Sequence, residues 1–250
     1  MKNDIIVFDV SNLFYISAYR LQKKNIKNNN YNINTIYSNT IQFMRKLYYF
    51  FKSKHIIFAC DSTQYYWRSK YFSEYKKNRK MTTLRKNVRN SIKFFKEKNF
   101  KLCIEVPGCE ADDIIYCLIN YKIHNNIIIV SSDRDFIQLQ STRVRLFNPH
   151  TYKFRKIPEK LEYELFIKCI RGDVSDNIPS AYPYVRESLI KEAYYNPYKF
   201  FIFMKKKLSD NIAVYKKYQR NRLLIDMKFL PKKYISLIKI LIDKLSLIEE

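Results

Sequence analysis

Glycine is nearly absent from this chain. In 250 residues it occurs twice, at Gly108 and Gly172, so each marks a place where the backbone has a special demand. Histidine occurs three times, and the five cysteines show no C-x-x-C spacing. An odd cysteine count, mostly in apolar surroundings (Cys60, Cys117, Cys169), reads as reduced core thiols and argues against structural zinc. Long apolar runs are missing too. The longest candidate, Ile235 to Ile242, is interrupted by Lys239, which argues against a membrane-spanning helix. Met1 to Asp4 lead straight into a strand, so no targeting peptide is expected and the protein is expected in the cytoplasm. Acidic residues are the last shortage: 23 Asp and Glu stand against 47 Lys and Arg, a net charge of +24. Such a balance points to a polyanion, nucleic acid ahead of an anionic membrane surface.

What is present is ample for a core. Hydrophobic residues make up 47% and aromatics 16%, enough for one large domain or two modest ones. The stretch IIIVSSDRD, Ile127 to Asp135, reads as a short strand buried on both faces that ends in two serines and two carboxylates. In extended chain Asp133 and Asp135 point the same way. Two other strands end alike: Ile5 to Phe8 at Asp9, and His55 to Cys60 at Asp61. Helices are predicted from Ser11 to about Arg20 and from Thr35 to Lys52, with a polar loop from Lys23 to Asn34 between them. In open α/β sheets ligands bind just beyond the carboxyl ends of the strands, so three acidic strand tips mark one edge.

Between residues 65 and 80, YYWRSKYFSEYKKNRK interleaves aromatic and basic side chains. Leu84, Val88, Ile92 and Phe95 then line a helical face, with Arg85, Arg89, Lys93 and Lys96 around the rest. A solvated helix face accounts for this; so does a strand-gripping arch in which cations follow phosphates and rings stack on bases. Gly108 precedes a helix opened by Glu110, Asp112 and Asp113. Acids in a first turn meet the helix dipole favourably, which alone is a sufficient reason for all three. Val144 to Phe147 and Tyr152 to Ile157 read as a marginal hairpin, and beyond Pro158 the chain reads as all helix. There, helices are predicted at Leu161 to Ile170, Tyr182 to Tyr195, Pro197 to Leu208 and near Tyr234 to Ile248. Asp173 and Asp176, in GDVSDN, can face one partner.

Nine of the 23 acids thus stand at tips or turns: Asp9, Asp61, Glu110, Asp112, Asp113, Asp133, Asp135, Asp173 and Asp176. Carboxylates packed together repel unless cations neutralise them. Oxygen ligands with few histidines specify a hard ion, Mg²⁺ or, in its place, Mn²⁺. Two such ions roughly 3.5–4 Å apart are a standard device for phosphodiester hydrolysis.

Six motifs now fall in one order: FDVSN around Asp9, ACD at Asp61, YKKNR from Tyr75, CEADD from Cys109, SSDRDFIQL from Ser131 and GDVSDNIP from Gly172. In these the chain resembles the 5′-nuclease family of flap endonucleases and 5′→3′ exonucleases. The block from Tyr65 to Arg79 and the stretch from Tyr215 to Pro231 are similar to phage members.

The resemblance implies an α/β fold: a PIN-like, mostly parallel sheet with flanking helices and a helical arch, followed by a helix–three-turn–helix module. The division expected is a nuclease core at 1–158, with the arch at about 65–100, and a DNA-binding module at 159–250. It implies a Mg²⁺-dependent hydrolase with two or more ions that removes RNA primers or 5′ flaps from DNA or RNA–DNA hybrid. All nine acids match the family's metal-binding acids, and Lys76 and Arg79 match cations that engage the scissile phosphate. Tyr75, Lys76, Arg79, Arg85, Arg89 and Lys93 are the expected nucleic-acid contacts. The family's glycine-rich duplex-binding hairpin is here Ser180 to Val185, without glycine. Side chains such as Arg186 and Lys191 are therefore expected to hold the duplex. No polymerase domain follows, so a monomer working in trans with a polymerase or single-strand-binding protein is expected. Two other readings compete: a PIN-like ribonuclease, and a catalytically silent DNA-junction-binding protein.

Overall fold

The computed structural model describes residues 4–24, 32–53, 55–121, 126–208 and 211–246. Most of the loop predicted from Lys23 to Asn34, and the end of the last predicted helix, lie outside these residues. The chain begins β1 (Ile5–Asp9), α1 (Val10–Lys24), α2 (Ile33–Phe51) and β2 (His55–Ala59). Next come a single turn, α3 (Arg68–Tyr71), then α4 (Thr83–Lys98), β3 (Cys103–Ile104), α5 (Ala111–Asn120) and β4 (Ile127–Val130). The hairpin β5 (Val144–Asn148) and β6 (Lys153–Phe154) follows, and then helices α6 (Leu161–Arg171), α7 (Glu187–Tyr195), α8 (Pro197–Lys205), α9 (Val214–Ile225) and α10 (Lys232–Ser246). Among the described residues no helix is long and apolar enough to cross a membrane.

Two compact units divide these elements. The first comprises Met1–Tyr66, Met81–Lys156 and Leu230–Glu250; the second comprises Trp67–Lys80 and Ile157–Phe229. The expected division at residue 158 is therefore redrawn in two places. The last helix, α10, joins the first unit, where Tyr121 donates to Asp243 at 2.9 Å. The expected arch is split between the units.

The first unit is built on a six-stranded sheet of order β3-β2-β1-β4-β5-β6, parallel throughout except for β6. Every residue of β4 is buried, as its run of isoleucines and valine demands, and burying each such side chain stabilises by about 1.5–3 kcal/mol. One face of the sheet (Ile6, Phe8, Ile128, Val130) packs under α1, α2 and α4. Helix α5, backed by α10, covers the other. The α4 helix, predicted as part of an arch, is thus a core helix. Its stripe of Leu84, Val88, Ile92 and Phe95 is buried, and Phe95 meets Phe14 and Phe58 edge-on at 5.6 and 5.0 Å. Thr82 caps it by accepting from the Arg85 amide.

The second unit has its own core of Phe166, Ile170, Ile190, Ala193, Phe203, Met204 and Val214. Helices α6 and α7, with the turns between them, give the helix–turns–helix arrangement expected of the C-terminal module. The helix predicted from Tyr182 starts later, at Glu187, because Pro183 interrupts the amide ladder. Buried Asn221 of α9 stitches the turn to α6, donating to the carbonyls of Cys169 and Pro179. The Trp67–Lys80 segment belongs here because Arg68 is buried and donates to the Leu224 carbonyl at 2.9 Å, while Arg220 lies over the Phe72 ring.

Candidate metal centre

Strands β1, β2 and β4 are neighbours, and each delivers an acid at its carboxyl end. Asp9 closes β1 and caps the next helix: one oxygen accepts from the Asn12 amide at 3.1 Å, the other from the Ser131 hydroxyl at 2.8 Å. Asn12 in turn donates to the Ser132 hydroxyl and accepts from the Ser132 amide. The tips of β1 and β4 are therefore clamped together by Asn12, Ser131 and Ser132. In the sequence these residues are only short polar side chains beside the strand-end acids; the structure gives them this clamping role.

Asp61 follows β2 and accepts from the Ala111 amide at 2.8 Å, which docks it on the first turn of α5. That turn carries Asp112 and Asp113, and Glu110 and Asp113 form a capping box, with the Glu110 amide donating to Asp113 at 3.0 Å. Both acids of the box are buried. Beyond β4 the chain does not stay extended. Asp133 accepts from the Asp135 amide at 2.9 Å, and Asp135 opens a short 3₁₀ helix (Asp135–Leu139). The parallel alignment predicted for this pair is thus replaced by a side-chain-to-backbone turn, the conformation aspartate favours after a strand.

Asp9, Asp61 and Asp133 are close enough to repel. The Asp9 carboxyl is pushed up from 3.8 to about 7, first by its burial, then by the Asp61 charge, with Asp133 adding a smaller push. Hydrogen bonds from Asn12 and Ser131 oppose the rise without overcoming it. Among the described residues no three His, Cys, Asp or Glu side chains already stand as a ligand set for a metal. Asp9, Asp61 and Asp133 each accept instead from a local amide or hydroxyl. The donors still suit a hard divalent cation, since all are carboxylate oxygens and a cation beside buried Asp9 would relieve its penalty.

Asp173 and Asp176 belong to the second unit, and each is held there by a cation. Asp173 accepts from the Ser175 amide and hydroxyl and pairs with Lys168 at 2.9 Å. Burial alone would raise its carboxyl, but Lys168 and Ser175 outweigh burial and hold it at about 2. Asp176 pairs with Arg79 at 2.5 Å, accepts from the Tyr75 hydroxyl at 3.1 Å, and lies 3.7 Å from the Lys76 ammonium. Tyr75 was expected to contact nucleic acid; its ring is instead 5% exposed, with the Lys76 ammonium over its face. A ring so placed cannot stack on a base. Arg89 and Lys93 are exposed and Arg85 is half-buried on the outer side of α4 in the first unit. Arg186, the residue before α7, and Lys191, in the middle of that helix, are exposed in the second.

Residues 4–164 match the family model for the 5′-3′ exonuclease N-terminal resolvase-like domain. The 5′-3′ exonuclease of Buchnera aphidicola subsp. Schizaphis graminum is 32% identical over 191 residues, covering 71% of this chain and 65% of that protein. Flap endonuclease Xni of Shewanella sediminis is 30% identical over 145 residues, covering 54% of this chain and 56% of that protein. The chain thus spans about two thirds or less of the length of these relatives. A crystal structure of T5 D15 protein co-crystallised with metal ions superposes with a TM-score of 0.69 at 18% identity, covering 97% of this chain and 96% of that one. At that identity the likeness is one of fold.

Proposed function

The chain belongs to the 5′-3′ exonuclease family, and from that premise we propose that it is a divalent-metal-dependent phosphodiesterase acting at or near 5′ ends. Its substrates are RNA primers or 5′ flaps on duplex DNA or RNA–DNA hybrid. The observation that carries this reading is the delivery of Asp9, Asp61 and Asp133 to one sheet edge, where burial first and the Asp61 charge second push Asp9 up to about 7. A cation joining this edge would relieve the repulsion and the burial penalty together, which is the arrangement expected of a functional site.

Asp9, Asp61, Glu110, Asp112, Asp113, Asp133 and Asp135 would hold Mg²⁺, with Mn²⁺ as a substitute. When bound, the ions supply positive charge that activates water and offsets the charge of the reacting phosphate. Asn12 and Ser131 hold the Asp9 carboxylate in one orientation. The Ala111 amide does the same for Asp61. Lys76 and Arg79 would bind the scissile phosphate, where a positioned cation contributes several kcal/mol in the transition state. Arg85, Arg89, Lys93, Arg186 and Lys191 would hold flanking phosphates, so duplex affinity falls steeply with salt. The protein would act as a monomer, in trans with a polymerase or single-strand-binding protein.

The test is cleavage of 5′-labelled flap, nicked-duplex and RNA–DNA substrates with Mg²⁺ and with EDTA, by wild type and by Asp135→Asn. Wild type should cut all or some of these only with metal. The variant should lose at least 100-fold in rate yet bind as tightly, because removing a negative charge near phosphate cannot weaken attraction. Wild-type turnover by Asp135→Asn in Mg²⁺ would overturn the metal assignment.

A further inference from the structure

Asp176 is the residue on which the basic segment of the second unit is fastened. Besides its carboxylate contacts to Arg79, Tyr75 and Lys76, its carbonyl accepts from the Lys76 amide at 2.9 Å. The flanks are tied too: Asn78 donates to the Val174 carbonyl at 2.9 Å, and Asn177 donates to the Glu74 carbonyl at 2.7 Å. Residues 74–79 and 174–177 thus form one clasp across about a hundred residues of sequence. Two of its members, Lys76 and Asn177, sit in the left-handed region at φ +57 and +60. That conformation is strained for a lysine and persists only where surrounding contacts over-determine it.

The charge arithmetic of the clasp is exclusive. One carboxylate faces a guanidinium, an ammonium and a phenol. Its side chain is only 15% exposed. A divalent cation taking the same oxygens would have to displace Arg79 and so release the segment that Arg79 and Lys76 belong to. Holding these cations and holding a metal are alternatives for Asp176.

We propose that Asp176 is a positioning residue that sets Lys76 and Arg79 in place, and not a metal ligand. The idea rests on the nuclease reading above for its catalytic consequence, but its structural half does not. The first measurement needs no activity: metal-free protein is digested with trypsin, and cleavage after Lys76, Lys77, Arg79 and Lys80 is timed. Asp176→Ala should open this segment at least tenfold faster with the urea midpoint of the rest of the protein unchanged. Asp176→Asn, which keeps an acceptor for Tyr75 but no charge for Arg79, should fall between. Unchanged protection in both variants would overturn the proposal, even if the protein proved to cut nothing.

The second measurement separates positioning from metal binding. Single-turnover rates at saturating flap substrate are compared for Asp176→Ala, Arg79→Ala and the double variant across a Mg²⁺ titration. A positioning role predicts non-additive losses, the double variant being no slower than the slower single, and an unchanged Mg²⁺ requirement. Additive losses with a severalfold higher Mg²⁺ requirement for Asp176→Ala would show a metal ligand and sink the proposal.

Discussion

Replacing Asp9 by asparagine should make the metal-free protein more stable. The Asp9 carboxyl moves from 3.8 to about 7 on folding, because burial and then the Asp61 charge disfavour its ionised form. A carboxyl raised in the fold binds its proton more tightly there than in the unfolded chain. Stability is therefore lost as pH rises from about 4 to about 7, and the full penalty stands above pH 7. The move corresponds to about 4 kcal/mol at most. Asparagine removes the charge, although its amide accepts less strongly from Asn12 and Ser131, so a gain of about 2–4 kcal/mol is expected at pH 8. The assay is urea unfolding in EDTA for wild type and Asp9→Asn at pH 5 and pH 8. The difference between the two proteins should be large at pH 8 and shrink toward pH 5. Adding Mg²⁺ at pH 8 should stabilise wild type more than the variant, since a ligand stabilises only the state that binds it. A variant no more stable than wild type at pH 8 in EDTA would refute the electrostatic reasoning on which the proposed metal site stands.

Two further outcomes test the second unit. Gly172→Ala should cost about 3 kcal/mol or more, measured by urea unfolding, since φ is +76 and an added Cβ would stand 2.3 Å from the Ile178 carbonyl oxygen, which is backbone and bonded to the Asp173 amide. A loss within 0.5 kcal/mol of zero would show that the turn relaxes freely. Asp173 is held at about 2, burial being outweighed by Lys168 and Ser175; its stabilisation is present above pH 4 and lost as pH falls toward 2. Asp173→Asn should accordingly cost about 1–2 kcal/mol at pH 7 and progressively less below pH 4, and a gap that does not change between pH 7 and pH 2 would exclude the ion pair as its source.

What the sequence disclosed and what it withheld follow from range. The strands β1, β2 and β4 were legible because β-branched runs end at an acid within five residues, and a parallel sheet then brings those ends to one edge. The strand β3 was not, because two residues, Cys103 and Ile104, carry no period. The apolar stripe of α4 announces a helix with a buried face; it cannot say that Phe14 and Phe58 lie beneath it, and an arch fits the same stripe. In extended chain Asp133 and Asp135 would point the same way, yet a carboxylate two residues before an amide has a local partner, and the turn wins.

The deepest omission is the clasp at Asp176. Its partners lie 97 and 101 residues away along the chain, and in sequence two acids three residues apart say only that negative charge is wanted there, not by what. Both compact units place acids in their turns; what separates them is the charge that answers. In the first unit burial, and then the charges of Asp61 and Asp133, drive Asp9 toward its neutral form, so a cation from solution has something to relieve. In the second, Lys168 answers Asp173 and Arg79 answers Asp176, so the cation is already built in. Nine acids of one kind in the sequence are therefore two kinds in the fold: seven in the unit built on the sheet, where burial and acidic neighbours raise Asp9, and two that hold cations in the other. The sign of the Asp9 shift against that of Asp173 is the physical measure of that difference.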